Sequence, residues 1–393
     1  MESFVYHMPT EIRFGPGSED GAAELVRKYG GRRVLVVYGG GSAVKSGLIG
    51  RLTAQLEAAG LTAVPFGGAQ PNPRLAHALE GAALARAQDV DFILAVGGGS
   101  AIDTAKAIAH GAANPGTELW DFWLGKAALT RTTPVGVVLT IPAAGSETSD
   151  SAVLTNGDAK RGLNSSFNRP VFAILDPRLA ATLPKFQVAC GVTDILMHTL
   201  DRYFNPVSDN ETTDALAEAL LRTVLRNGPA ALENPGNLHA MSELMWCGSL
   251  SHNGLTGLGG KKDFAVHQLG HAISAKYDVA HGVSLSAVWP AWARYVAGSD
   301  GFRRFAQFAR QVWAVDEAGD EAAARLGIER QTAFFRSLGM PVSLPELGFG
   351  VLTEGDLADL AARCSYGHSR TIGSFRVLDE AAMAAVYRAA NQA

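Results

Sequence analysis

The chain has 393 residues, 47% of them hydrophobic and 18% charged, with a net charge of -4 at pH 7. That length predicts two domains, and an acidic balance with no basic face argues against nucleic acid as a partner. Three cysteines (Cys190, Cys247, Cys364) without C-x-x-C spacing speak against a disulfide framework and for a reducing, cytoplasmic setting. The opening MESFVYHMPTEIRFGPG lacks the basic-then-apolar order of a signal peptide, and no window reaches the roughly 18 uninterrupted apolar residues of a membrane span.

In chain order, residues 4–14 are short and β-rich, read as an opening hairpin. RRVLVVYGGG is a strand ending in glycines, and SGLIGRLTAQLEAAG the helix after it. LTAVPFGG is a strand and PRLAHALEGAALARAQ a helix. VDFILAVGGGS is a continuous apolar strand running into glycines, followed by the helix AIDTAKAIAHGA. PVGVVLTIP and FAILDP repeat the buried-strand pattern. Continuous apolar strands separated by helices predict a mostly parallel sheet covered on both faces. Beyond about residue 178 the pattern changes to long helical stretches such as TTDALAEALLRTVLRN and EAAARLGIERQTAFFRSLG. The expected organisation is an α/β domain with a parallel sheet over residues 1–178 and an all-α domain over 179–393, with the boundary at DPRLAATLP.

Two strand–GGGS–helix elements stand out in the first half. Gly97, Gly98 and Gly99 end an apolar strand and Ser100 begins a helix. Glycines let a backbone approach a phosphate, and the helix N-terminus favours its charge. The loop is not G-x-G-x-x-G, so an ordinary Rossmann assignment does not follow. Ser100 and Asp103 have capping-box spacing, and a tight capped turn is the plainer alternative. Gly39, Gly40, Gly41 and Ser42 form the earlier element. A dinucleotide site that prefers NAD places an acid near such a strand end to hold the ribose 2′-hydroxyl. Here there is none, and Lys45 follows, which favours NADP.

The second half holds the metal candidates. Asp194 and His198, four apart in GVTDILMHTL, share one face of a helix. His267 and His271 bracket HQLGH, and His281 follows in YDVAHG. One carboxylate with imidazoles suits Fe2+ or Zn2+. HQLGH is no zincin motif, because Gln268 occupies the place of the general-base glutamate. Spacing alone does not choose between His271 and His281 as the fourth ligand. His239 and His252 are further candidates, better read as structural.

GGGSAIDTAK (97–106), TIPAAGSE (140–147), GVTDILMHTL and HQLGHAI…HG together resemble the iron-containing alcohol dehydrogenases. With YGGGS at 38–42, the chain is most similar to the NADPH-dependent butanol dehydrogenase and aldehyde reductase branch. The resemblance implies an α/β cofactor domain, a helical domain holding one divalent metal, a homodimer, and hydride transfer between NADP(H) and an aldehyde or primary alcohol. It places the metal on Asp194, His198, His267 and His281, leaving His271 as the unligated active-site histidine. It also places the cofactor pyrophosphate at Gly97 to Ser100, with Thr140, Ser149, Lys160, Leu179 and Asn72 as further contacts. Many members read GTGSE where this chain has Ala143-Ala144-Gly145-Ser146-Glu147. Two rival activities share much of this machinery: an NAD-dependent polyol dehydrogenase, and a redox-neutral lyase resembling dehydroquinate synthase. The latter needs a basic clamp for a phosphorylated substrate, and the second half offers little beyond Lys261 and Lys262.

Overall fold

A computed structural model describes residues 1–207, 209–298 and 301–392. The chain divides into two compact units, one formed by His7–Leu183 with Pro235–Asn253, the other by Met1–Tyr6, Pro184–Asn234 and Gly254–Ala393. This is more interleaved than a single cut near residue 178. The helix Leu238–His252 belongs with the α/β unit, and the first six residues belong with the helical one. None of the helices among the described residues is long and apolar enough to cross a membrane.

The α/β unit is built on eight strands: β1 (Glu11–Phe14), β2 (Arg33–Gly39), β3 (Thr62–Ala69), β4 (Phe92–Gly97), β5 (Val135–Leu139), β6 (Ser151–Asn156), β7 (Ala159–Asn164) and β8 (Phe172–Leu175). Six of them form one sheet in the order β1-β8-β5-β4-β2-β3, and every neighbouring pair is parallel. Val34, Leu35, Val36, Val37, Phe92, Ile93, Leu94, Ala95 and Val96 are fully buried, as expected for strands covered on both faces. The opening hairpin expected over residues 4–14 does not form. Only Glu11–Phe14 is strand, and it pairs in parallel with β8 at the sheet edge. Pro9 supplies no N–H to a ladder, and the residues before His7 pack with the other unit.

A hairpin went unread elsewhere. β6 and β7 pair antiparallel, Asn156 opposite Ala159, across a two-residue turn in which Gly157 has φ 57°. Gly157-Asp158 is a two-residue hairpin signal, masked in the sequence by the polar residues around it.

The helical unit carries the remaining long helices, among them Lys185–Tyr203, Glu211–Glu233, Ala265–Tyr277, His281–Ala297 and Asp320–Ser337. Its core includes Trp289, Trp292, Tyr203, Phe204, Phe305 and Phe308, all but excluded from water. Phe204 stacks on Phe305 with ring centroids 4.2 Å apart.

Close packing across the sheet makes one glycine indispensable. Gly136 lies directly opposite Phe172 in the β5–β8 register, and a Cβ there would sit 2.3 Å from the Phe172 ring. Phe172 is fully buried and already stacked on Phe92, so it has nowhere to go. Gly136→Ala is expected to destabilise the fold by about 1–3 kcal/mol through overpacking, read as a lower melting temperature. Gly162→Ala, whose Cβ would meet nothing within 4 Å, serves as the neutral comparison.

Candidate functional site

In a parallel sheet all strands end on the same edge, and their loops gather there. Here that geometry collects the residues singled out in the first half. Asn72 follows β3; Gly39, Gly40, Gly41 and Ser42 end β2; Gly97 to Ser100 end β4; Thr140 follows β5; Leu179 follows β8. The chain runs outward from β2 to β3 and returns on the other side of β2 as β4. The two glycine loops therefore flank the point where strand order reverses, where ligands bind in open α/β sheets.

The local geometry at β4 explains its glycines. Gly97 has φ 156°, and a Cβ on Gly97, Gly98 or Gly99 would lie 2.7 Å from Ala101, 3.1 Å from Ile141 and 3.2 Å from Ala144 respectively. The 15-residue helix Gly99–Ala113 starts one residue earlier than its sequence implies and has Gly98 as N-cap, with no side-chain cap. Ser100 and Asp103 thus form no capping box. Thr140 ties the neighbouring strand end in place by donating its N–H to the Gly97 carbonyl at 3.1 Å. Asn72 sits in a left-handed conformation (φ 54°) and accepts a 2.8 Å hydrogen bond from Lys160 Nζ. Lys160 is a buried strand residue, where its sequence context allowed an exposed turn. Leu179 packs partly buried against the core under the sheet.

Asp103, read in the sequence only as a capping residue, and Lys106, not singled out there, lock this edge. Lys106 is fully buried and donates from Nζ to Ser146 O (2.7 Å), Ser146 Oγ (2.8 Å) and Ser151 O (2.8 Å). Asp103 accepts from Ser146 Oγ at 2.5 Å and from the Val153 N–H at 2.9 Å. Burial pushes the Lys106 amine down to about 8, opposed by Asp103. The pair clamps the segment 140–151, including Ser149 (1% exposed), onto the helix that begins at the glycine loop. A legible signal existed: an Asp and a Lys three apart inside an otherwise apolar helix need partners.

The second constellation lies within the helical unit. From Val192 to Tyr203 the helix Lys185–Tyr203 is buried at every position, and it carries Asp194 and His198 on one face. His267 comes from Ala265–Tyr277, and His281 opens His281–Ala297. Gly282 makes that approach possible, since a Cβ there would stand 2.6 Å from the Cys190 carbonyl oxygen. Asp194, His267 and His281 each place one ligand atom within 4.8 Å of the others. His267 Nε2 is 3.7 Å and His281 Nε2 3.9 Å from Asp194 Oδ1. His198 turns Nδ1 toward Asp194, 3.1 Å from both its carbonyl oxygen and Oδ1, and its ring centroid is 4.3 Å from that of His267. His271, buried, has its ring 5.2 Å from that of His281. His239 and His252 belong to the Leu238–His252 helix of the α/β unit.

Electrostatics marks this cluster as unusual. Burial would raise the Asp194 carboxyl, but His198 and His281 hold it well below the usual range. Burial, reinforced by His267, pushes His198 down to about 4, so it is neutral at pH 7. Burial also works against a charged His267, yet Asp201 and Asp194 outweigh it and raise that imidazole. Asp194 Oδ1 and His267 Nε2 are buried without a hydrogen-bond partner among the described residues.

Comparison with known proteins gives the family. Residues 9–177 match the family model described as iron-containing alcohol dehydrogenase, and residues 188–391 match the Fe-containing alcohol dehydrogenase family C-terminal model. NADH-dependent butanol dehydrogenase A of Clostridium acetobutylicum is 38% identical over 382 residues, 96% of this chain and 97% of that protein. NADPH-dependent aldehyde reductase YqhD of Escherichia coli is 38% identical over 356 residues, 88% and 90% of the two chains. The crystal structure of NADH-dependent butanol dehydrogenase A from Thermotoga maritima superimposes with a TM-score of 0.95 at 32% identity, covering 100% of this chain and 99% of that one. Matched along nearly its whole length by both halves of one family, the chain belongs to the iron-containing alcohol dehydrogenases.

Proposed function

We propose that this alcohol/aldehyde oxidoreductase transfers a hydride between NADP(H) and an aldehyde or primary alcohol, with one divalent metal, Fe2+ or Zn2+, held by Asp194, His198, His267 and His281. The observation that carries the metal site is the facing pair of Asp194 Oδ1 and His267 Nε2, both buried and without a hydrogen-bond partner among the described residues. Leaving such groups unsatisfied costs about 1–3 kcal/mol each. Their 3.7 Å separation is too long for a hydrogen bond. It is near the spacing of about 3.4 Å that two ligands adopt around a tetrahedral ion with bonds of about 2.1 Å. A carboxylate and three imidazoles suit a borderline divalent ion.

When bound, the metal supplies Lewis acidity at the carbonyl or alcohol oxygen, and the nicotinamide supplies or accepts the hydride. The chain's own residues do the rest. Asp194 offsets positive charge in a desolvated setting, and His198, neutral, keeps its Nδ1 3.1 Å from both the carbonyl oxygen and Oδ1 of Asp194. His271, one helical turn after His267, gives a proton to the product oxygen in reduction and takes it back in oxidation. Gly97, Gly98 and Gly99 leave room for a pyrophosphate against the N-terminus of Gly99–Ala113. Thr140, Ser149, Asn72, Lys160 and Leu179 are read as further cofactor contacts.

The preference for NADP(H) rests on Gly39 to Ser42, which carry no carboxylate to repel a 2′-phosphate, with Ser42 and Lys45 exposed beyond them. Similar proteins bear both NADH and NADPH in their names, so this chain needs its own measurement. With butanal as substrate, kcat/KM with NADPH is expected to exceed that with NADH by at least about tenfold, or 1.4 kcal/mol. Equal efficiency with NADH overturns the cofactor reading. His267→Ala is expected to abolish bound metal in elemental analysis and to reduce turnover to background. Full metal occupancy in that variant rejects the ligand set.

A further inference from the structure

The helix that carries Asp194 and His198 presents one more polar group on the same face. Asp201 follows His198 by three residues and Asp194 by seven, so the three lie along one stripe. Asp201 is fully buried. Its Oδ2 is 2.6 Å from His267 Nδ1, with the His267 backbone N–H at 3.4 Å. The Asp201 carbonyl accepts the Asp263 N–H at 2.8 Å, which ties the same point of the helix to the backbone just before Ala265–Tyr277.

A neutral imidazole has one proton for two nitrogens, and the partner of one nitrogen decides the role of the other. An ionised carboxylate only accepts. At 2.6 Å from Nδ1 it keeps the proton there and leaves Nε2 with its lone pair aimed toward Asp194 Oδ1, 3.7 Å away. We propose that Asp201 is a positioning residue for the metal centre, fixing the tautomer and ring orientation of His267 so that Nε2 is presented as a ligand. The inference rests on the reading of His267 as a ligand. The competing account is that Asp201 and His267 form a buried pair that serves stability alone.

Metal affinity separates the two. The full-length chain, stripped with a chelator, is titrated with Zn2+ against a chromophoric competitor, with thermal melting of each stripped protein measured in parallel. Asp201→Asn keeps the shape of the side chain but can donate to Nδ1, driving the proton to Nε2. It is expected to weaken Zn2+ binding by about 10–100-fold, and Asp201→Glu to recover part of that loss by restoring a carboxylate. If Asp201→Asn lowers only the melting temperature and binds Zn2+ within about twofold of the unaltered chain, while His267→Ala loses the ion, the positioning role is overturned and the ligand set stands. If His267→Ala itself retains Zn2+, the ligand set falls and the positioning role falls with it. Should Asp201→Asn not fold, the unaltered Zn2+-loaded protein is read by 15N–1H NMR. A downfield Nδ1–H resonance on His267, as a short hydrogen bond to carboxylate gives, is expected. Its absence overturns the proposal.

Discussion

The helical unit is organised around a carboxylate taken out of water. Charged groups are stable there only when opposite charge or hydrogen bonds replace the solvent, and an unmatched one costs several kcal/mol. Asp194 is 5% exposed, and imidazoles from three chain segments converge on it. The segments arrive at unusual local cost. Ala265–Tyr277 is bounded by Phe264 and Asp278, both at positive φ, and His281–Ala297 reaches Asp194 only because its second residue is Gly282. Backbone in sparsely populated regions persists where surrounding structure overdetermines it, and such positions cluster at functional sites.

The α/β unit meets the same difficulty with the opposite charge. Lys106 has lost all contact with solvent, and its ammonium has three donors to satisfy. Two serine carbonyls and one serine hydroxyl meet them, while Asp103 engages that hydroxyl from the other side. The result is a rigid wall, residues 140–151, against a glycine loop that has no side chains of its own to hold its shape. Glycines supply space at the price of backbone freedom, so a buried ion pair beside them restores what they give away.

How much of this was legible depended on the range of the interaction. The buried strands were plain from continuous apolar runs, and the glycine loops from their position at strand ends. Asp194 and His198 were readable because a single helix sets their spacing. His267 and His281 came from elsewhere in the chain, and spacing could not choose between His271 and His281; resemblance proposed the choice. The geometry groups His281 with Asp194 and His267 and holds His271 beside them. Asp201 and Lys106 were missed for a common reason. Each looks like an ordinary charged residue until the partner, Asp201's His267 66 positions away and Lys106's Ser146 40 positions away, folds against it. The N-terminal hairpin failed for the converse reason: β-rich composition is local, whereas pairing is decided by which edge is free, and β1 found β8.

Asp194 and Asp201 show how one residue type takes two roles on one helix face. Both are buried, and both approach His267, one at each ring nitrogen. The distances decide what each does. At 2.6 Å, Asp201 shares a proton with Nδ1; at 3.7 Å, Asp194 is out of hydrogen-bond range of Nε2, so no proton bridges that gap. Both carboxylates favour a proton on that ring, and Asp201, the one within hydrogen-bond distance, holds it at Nδ1. The space on the Asp194 side is therefore suited to a cation larger than a proton. The asymmetry also gives the helix a directional logic: its carboxylate nearer the C-terminus orients the imidazole, and the other, seven residues earlier, faces what that imidazole is oriented toward. Exchanging the two distances would keep every residue and lose the site.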